Sequence, residues 1–243
     1  MITGAEMAVV DANAAALGVS RKQLMESSGN AVARAVRAVT DRDDELTIVV
    51  GRGNNGGDAA VAARFLERFD PEVLLLGRAQ TISTDIAREN WAALVESTIR
   101  TRELRDSTAI DLEGADVVVD GMLGTGISGR LRDPERTAAA EMNRSSATVV
   151  SVDVPSGMDA GTGTLPEGAV RPDRVVTFHE AKPGLRDLDA DCRVADIGIP
   201  EAAHEFTGPG DLLRMSREPD SHKGDNGEVL VVGGGPYTGA PAL

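Results

Sequence analysis

The sequence predicts a three-layer α/β fold: a doubly wound, mostly parallel, Rossmann-like sheet covered by helices. Short apolar, β-branched runs alternate with stretches of helical periodicity, the pattern of strand–helix–strand units. Two of the runs, 46–50 and 116–120, open directly into glycine-rich segments, 51–58 and 121–129. Val50, Asp120 and Asp153 close three of the strands, and open α/β sheets gather ligands at the carboxyl ends of their strands.

Each element has its own signal. Residues 11–40 read as one or two helices, with Leu17, Leu24, Met25, Val32, Val36 and Val39 at roughly helical spacing. Ser20 before Arg21-Lys22-Gln23 is an N-cap with Gln at the third helical position. A polar turn over 41–45 leads into the first strand, 46–50. A helix is expected over about 58–68, a short strand near 73–76, and a helix over 84–96 capped by Ser83. Residues 116–120 form a buried strand ending in an acid, and Pro134 starts a helix that runs to about 144. The strand 148–152 is closed by Asp153, and 174–178 and 192–197 supply two more. From His222 a fresh strand and glycine loop begin, so the chain divides into 1–215 and 216–243, the latter the truncated start of a second domain.

Composition narrows the function. The 243 residues carry a formal charge of −14, which disfavours nucleic acid and anionic membranes as partners. Only Lys22, Lys182 and Lys223 are lysines, and so acidic a surface suits solubility at high salt. Cys192 is the single cysteine, so no intrachain disulfide can form, which fits a reducing compartment. No run reaches the roughly 20 apolar residues of a membrane helix, and the first residues lack the pattern of a signal peptide. A cytoplasmic protein is expected.

The 51–58 segment, Gly-Arg-Gly-Asn-Asn-Gly-Gly-Asp, holds four glycines in seven residues between a strand and a helix. Such glycines let backbone approach a ligand and adopt positive φ. The following helix aims free N–H groups and the positive end of its dipole at a phosphate. A nucleotide is the expected ligand. Gly51-x-Gly53-x-x-Gly56 and Gly124-x-Gly126-x-x-Gly129 both match the dinucleotide fingerprint. A dehydrogenase, however, needs an acid after the second strand, where Gly77-Arg78 stands. Asp58 serves the ligand or merely complements the helix dipole from the first turn. Asp120 and Asp153 lie in the cleft or cap loop amides. With Asn55 and Ser156 they offer hard oxygen donors suited to alkali or alkaline-earth cations. His179, His204 and His222 show no zinc-like spacing, and His179 reads as a strand-end residue without chemistry. No nucleophilic triad is apparent, leaving carboxylate acid–base work on a bound nucleotide.

Four motifs in order resemble one family: 51–58, Asp-Gly-Met-Leu-Gly-Thr-Gly-Ile-Ser-Gly at 120–129, Val-Asp-Val-Pro-Ser-Gly-Met-Asp at 152–159 and Thr-Phe-His-Glu-Ala-Lys-Pro-Gly-Leu at 177–185. Gln-Leu-Met-Glu-Ser-Ser-Gly at 23–29 matches its N-terminal helix motif. This is the NAD(P)H-hydrate epimerase family, the YjeF N-terminal domain, and the resemblance covers about 5–212. The tail from His222 resembles the opening of a ribokinase-like, ADP-dependent NAD(P)H-hydrate dehydratase, often fused to it in prokaryotes. The resemblance implies interconversion of the R and S forms of hydrated NADH or NADPH, with the dehydratase as functional partner and a homodimer as the assembly. It implies nucleotide contacts from Asn54, Asn55, Gly56, Gly57 and Asp58, and from Gly124, Thr125, Gly126, Ile127, Ser128, Gly129 and Arg130. It places Asp153 near the hydrated ring and a potassium ion on Asn55, Asp120 and Ser156. Asp153 is the first acid–base candidate and Lys182 the second. Ala59 stands where the family usually has glycine. A non-catalytic nucleotide-binding scaffold of the same fold is the alternative, and the intact 54–58 motif with Asp120 and Asp153 argues against it.

Overall fold

The computed structural model describes residues 1–126 and 129–214. Ile127 and Ser128, the proposed second domain at 216–243 and His222 lie outside the described residues. Helices α1 (Gly4–Ala16) and α2 (Arg21–Arg37) open the chain. Then come β1 (Leu46–Val50), α3 (Asn54–Phe65), β2 (Glu72–Leu76), α4 (Asp85–Val95) and β3 (Arg100–Leu104). They are followed by β4 (Val117–Gly121), α5 (Glu135–Arg144), β5 (Thr148–Val152), β6 (Arg174–Phe178), β7 (Asp191–Ala195) and the short α6 (Ala202–Glu205).

The seven strands pair in parallel throughout, in the order β3-β2-β1-β4-β5-β6-β7. The order reverses between β1 and β4, which creates a switch-point crevice at their carboxyl ends. Alternate side chains divide between two cores. Ile48, Val50, Val73, Leu75 and Val119 pack beneath α1–α4. Val49, Leu74, Leu76 and Val118 face Ala138, Ala139 and Met142 of α5. Crossovers on either side of the reversal therefore cover opposite faces, as right-handed connections require. Few side chains in either core are aromatic; Trp91 of α4 is the largest buried ring.

Three expectations need correction. The strand β3 carries Arg100, Thr101, Arg102 and Glu103 in an alternately exposed pattern, so it lacks the apolar run that reveals a buried strand. It is an edge strand, where charge blocks further pairing. Ser83 does not cap α4: Thr84 occupies the cap position without a side-chain cap bond. The Ser83 hydroxyl instead donates to Arg52 O at 3.0 Å, pinning the loop after β1. Helix α3 begins at Asn54, four residues before the expected start. The Ser20 cap does form, with a reciprocal Gln23 bond, and starts α2.

Candidate active site

The segment after β1 is a helix entry rather than an extended loop. Gly53 is the extended cap residue of α3, and no side chain caps the first amides. None of Gly51, Gly53, Gly56 and Gly57 takes a positive φ, contrary to expectation. Their role is close packing. A Cβ on Gly56 would stand 2.1 Å from Gly51 O, so only glycine lets α3 begin this near the strand. The free amide end of α3 consequently lies directly on the β1–β4 crevice, the geometry that suits an anionic group.

Asp58 is thus the fifth residue of α3, not part of its first turn, and the dipole explanation for it falls away. Its carboxyl meets the Ser28 hydroxyl of α2 in a short hydrogen bond. The same hydroxyl lies 3.1 Å from Met25 O, which can only accept. A hydroxyl has one proton. The Ser28 hydroxyl thus has two acceptors for that proton, the Asp58 carboxyl and the Met25 carbonyl, and its closer contact is to Asp58. Burial pushes Asp58 up to about 8, against the Ser28 bond, with the charges of Asp153 and Asp11 adding to the rise and Lys182 opposing it. Asp58 keeps some surface open to the cleft, which tempers the size of the shift without reversing it.

Asp153 follows β5 in a left-handed conformation, φ 64°. That turn directs its carboxylate to Lys182, whose Nζ lies 2.8 Å from Oδ1, while the Thr177 hydroxyl donates to the same oxygen at 3.0 Å. Lys182 is 1% exposed, and its ammonium also donates to Phe178 O at 2.9 Å. A buried ammonium needs such a charged partner and hydrogen bonds, and the pairing fixes the position of the Asp153 carboxylate. Asp11 of α1, not singled out from the sequence, is raised by burial and feels Lys182 and Asp153. The helical pattern gave no hint of it, because an acid on an otherwise apolar helix looks like any solvated one.

The cation-ligand candidates also converge. Asp120 is fully buried in β4. Its oxygens accept from the Ser151 and Ser156 hydroxyls at 2.8 and 2.6 Å and from the Ser156 and Met122 amides at 2.9 and 3.3 Å. Asn55 Nδ2 donates to Leu123 O at 3.0 Å, and Leu123 N donates to Ser156 Oγ at 3.0 Å. Asn55, Asp120 and Ser156 therefore surround one backbone turn. Burial raises Asp120, its hydrogen bonds work the other way, and no Lys, Arg or His among the described residues forms an ion pair with it. A buried carboxylate with oxygen donors and no cationic side chain suits a hard alkali or alkaline-earth cation.

The 124–130 loop borders the same edge. Gly124 abuts the Asn55 amide oxygen, while Thr125 and Gly126 line a cavity of about 360 Å³ with Gly4, Ala5 and the 159–161 turn. Gly129 and Arg130 are exposed. Asn54 is held by the Thr84 hydroxyl at 2.8 Å. Asp159 was missed as a neighbour; its carboxylate accepts from the amides of Gly161 and Thr162 and shapes the cavity wall.

A family model described as the YjeF-related protein N-terminus matches residues 21–184, across all these groups but Gly4, Ala5 and Asp11. The chain belongs to that family. Among relatives of this YjeF-type domain, the "Bifunctional NAD(P)H-hydrate repair enzyme Nnr" of Methanothermobacter thermautotrophicus is 47% identical over 98% of the chain and 48% of its own length. The chain spans about half the length of the bifunctional relatives it matches. A "NAD(P)H-hydrate epimerase" of Cenarchaeum symbiosum is 37% identical over 82% of the chain and 96% of its length. A crystal structure of yeast YNL200c superposes with a TM-score of 0.60 at 24% identity, covering 84% of this chain and 87% of that one, and supports the fold. Among the described residues, no helix of the YjeF-type domain is long and apolar enough to cross a membrane.

Proposed function

We propose that this chain epimerises hydrated NADH or NADPH, exchanging the R and S forms of the nucleotide. The single observation that carries this reading is two carboxyl groups in contrasting settings of one crevice: Asp153 paired with the Lys182 ammonium at 2.8 Å, and Asp58 bonded to the Ser28 hydroxyl and pushed up to about 8 by burial. Two carboxyl groups in such different surroundings suit paired acid and base roles. The names of the family relatives supply the substrate.

The carbon that bears the hydroxyl is also bonded to the ring nitrogen. Asp153 takes the hydroxyl proton, the oxygen becomes a carbonyl and the carbon–nitrogen bond breaks. Asp58 delivers a proton to the departing nitrogen. Rotation exposes the other carbonyl face, the nitrogen re-adds while the two protons return, and the stereocentre is inverted with atoms and electrons conserved. Lys182 holds Asp153 in place. The amide end of α3 and the 124–130 loop, including Ile127 and Ser128, take the diphosphate and ribose. Asn55, Asp120 and Ser156 fit a potassium ion, which when bound supplies a fixed positive charge that screens the carboxylates from the diphosphate.

By the same likeness the chain pairs with a copy of itself, acts in the cytoplasm, and hands the S form to an ADP-dependent dehydratase, the activity expected of a half beginning near 216. The test is a coupled assay with R-form hydrated NADH and a separate S-specific dehydratase. Faster recovery of NADH absorbance than the spontaneous rate supports the reading. No acceleration by folded protein in potassium buffer rejects it in favour of a non-catalytic nucleotide-binding scaffold.

A further inference from the structure

We propose that His179, His204 and Glu180 form a binding site for a divalent transition metal of the zinc class, clamping the end of β6 to α6. The site is separate from the oxygen-donor turn around Asp120. His179 and His204 lie 25 residues apart, too far to suggest a metal motif in the sequence, yet their Nε2 atoms are in hydrogen-bond contact. Their centroids are 4.6 Å apart with planes 17° from parallel, so the rings meet edge to edge with the two Nε2 atoms facing each other. A ligand atom from each of His179, Glu180 and His204 falls within 4.8 Å of the other two.

Chemistry selects the ligand class. Two Nε2 atoms facing each other share at most one proton when both rings are neutral, so one ring must donate and the other accept. With both rings carrying their proton on Nδ1, both lone pairs face one point, and a cation replaces the shared proton. Imidazole nitrogen favours Zn²⁺, Ni²⁺ or Cu²⁺ over potassium or magnesium. Tetrahedral coordination at a metal–nitrogen distance of about 2.0–2.1 Å separates two nitrogens by roughly 3.3 Å, so the pair opens by a small side-chain rotation. The Glu180 carboxylate adds charge; its Oε2 meets the Met1 ammonium at 2.7 Å, leaving the other oxygen for the metal. His204 is exposed, and His179 and Glu180 are half-buried, so an ion has access and water can complete its shell.

The backbone holds this arrangement. His179 adopts φ 65°, unusual without glycine, and its amide donates to Ala195 O at 2.7 Å. Lys182 donates to Phe178 O and Glu180 O on either side of it. A metal on His179, Glu180 and His204 would therefore fix the hook from which Lys182 reaches Asp153, acting on position rather than on the reaction.

The experiment is calorimetric titration of Zn²⁺, repeated with Ni²⁺, into chelator-treated protein carrying His222→Ala, so that the remaining histidine cannot contribute. One equivalent is expected at micromolar affinity or tighter. His204→Ala, an exposed site, and His179→Asn, a residue that tolerates the left-handed backbone, should each weaken binding at least tenfold while circular dichroism is unchanged. Glu180→Gln should weaken it less. Cu²⁺ electron paramagnetic resonance should show coupling to two nitrogens, reduced to one in His204→Ala. No binding below about millimolar Zn²⁺ in the His222→Ala protein, or affinity unmoved by both histidine substitutions, overturns the site.

Discussion

Lys182 Nζ lies 2.8 Å from Asp153 Oδ1, joining an almost wholly buried ammonium to a carboxylate that faces the cleft. Removing the negative partner leaves a buried charge uncompensated, at a cost of about 3 kcal/mol. Asp153→Asn should thus lower the denaturation midpoint and reduce epimerase kcat at least a hundredfold, with nucleotide binding still measurable by titration. Near-normal turnover in that variant would remove Asp153 from the chemistry.

Asp58 gives a pH signature of defined sign. Its folded value is raised to about 8 from an ordinary 3.8, mainly by burial. Below about pH 4 both folded and unfolded chains hold this proton. Between about 4 and 8 the unfolded chain releases it and the folded chain does not, so the contribution to stability is lost as pH rises through that window. Because the group is partly open to the cleft, the loss should be on the order of 1–3 kcal/mol rather than the full shift. Urea denaturation at pH 5 and 8.5 should show a smaller decline for Asp58→Asn than for wild type. Equal declines would mean that Asp58 is ionised in the fold.

Ala59 and Gly121 are a matched pair. A Cβ on Gly121 would meet Ala59 Cβ at 2.3 Å. The alanine at 59 is accommodated because residue 121 has no side chain. Gly121→Ala should cost about 3 kcal/mol through overpacking. Adding Ala59→Gly should recover at least 1 kcal/mol despite its own cost in helix propensity. A double mutant no more stable than Gly121→Ala would show that the clash lies elsewhere.

Potassium should stabilise the folded chain if Asn55, Asp120 and Ser156 hold it. At ten times its dissociation constant a specific ion adds about 1.4 kcal/mol. Melting in KCl against NaCl of equal ionic strength should show a higher Tm in potassium, and Ser156→Ala should abolish the difference. Identical melting curves in both salts would argue against a potassium site.

The central strands were legible in the sequence because a strand buried on both faces must be apolar and β-branched, as in 46–50, 117–119 and 148–152. Ser20 with Gln23 was legible because a capping box is completed within four residues. These are local demands of the chain, and so is the glycine-rich junction after β1. β3 was not legible, since an edge strand can be as polar as a loop.

The site divides the same way. The sequence by itself determined the α/β class, the motif residues near the crevice and the family, because these rest on short-range patterns of residue type. Tertiary structure alone decided that α3 starts at Asn54, that its glycines serve packing, that Asp58 shares a hydroxyl with Met25, and that His179 meets His204. Each depends on two backbones brought together by burial of the sheet faces, and a side chain's protonation or partner follows from what is packed against it.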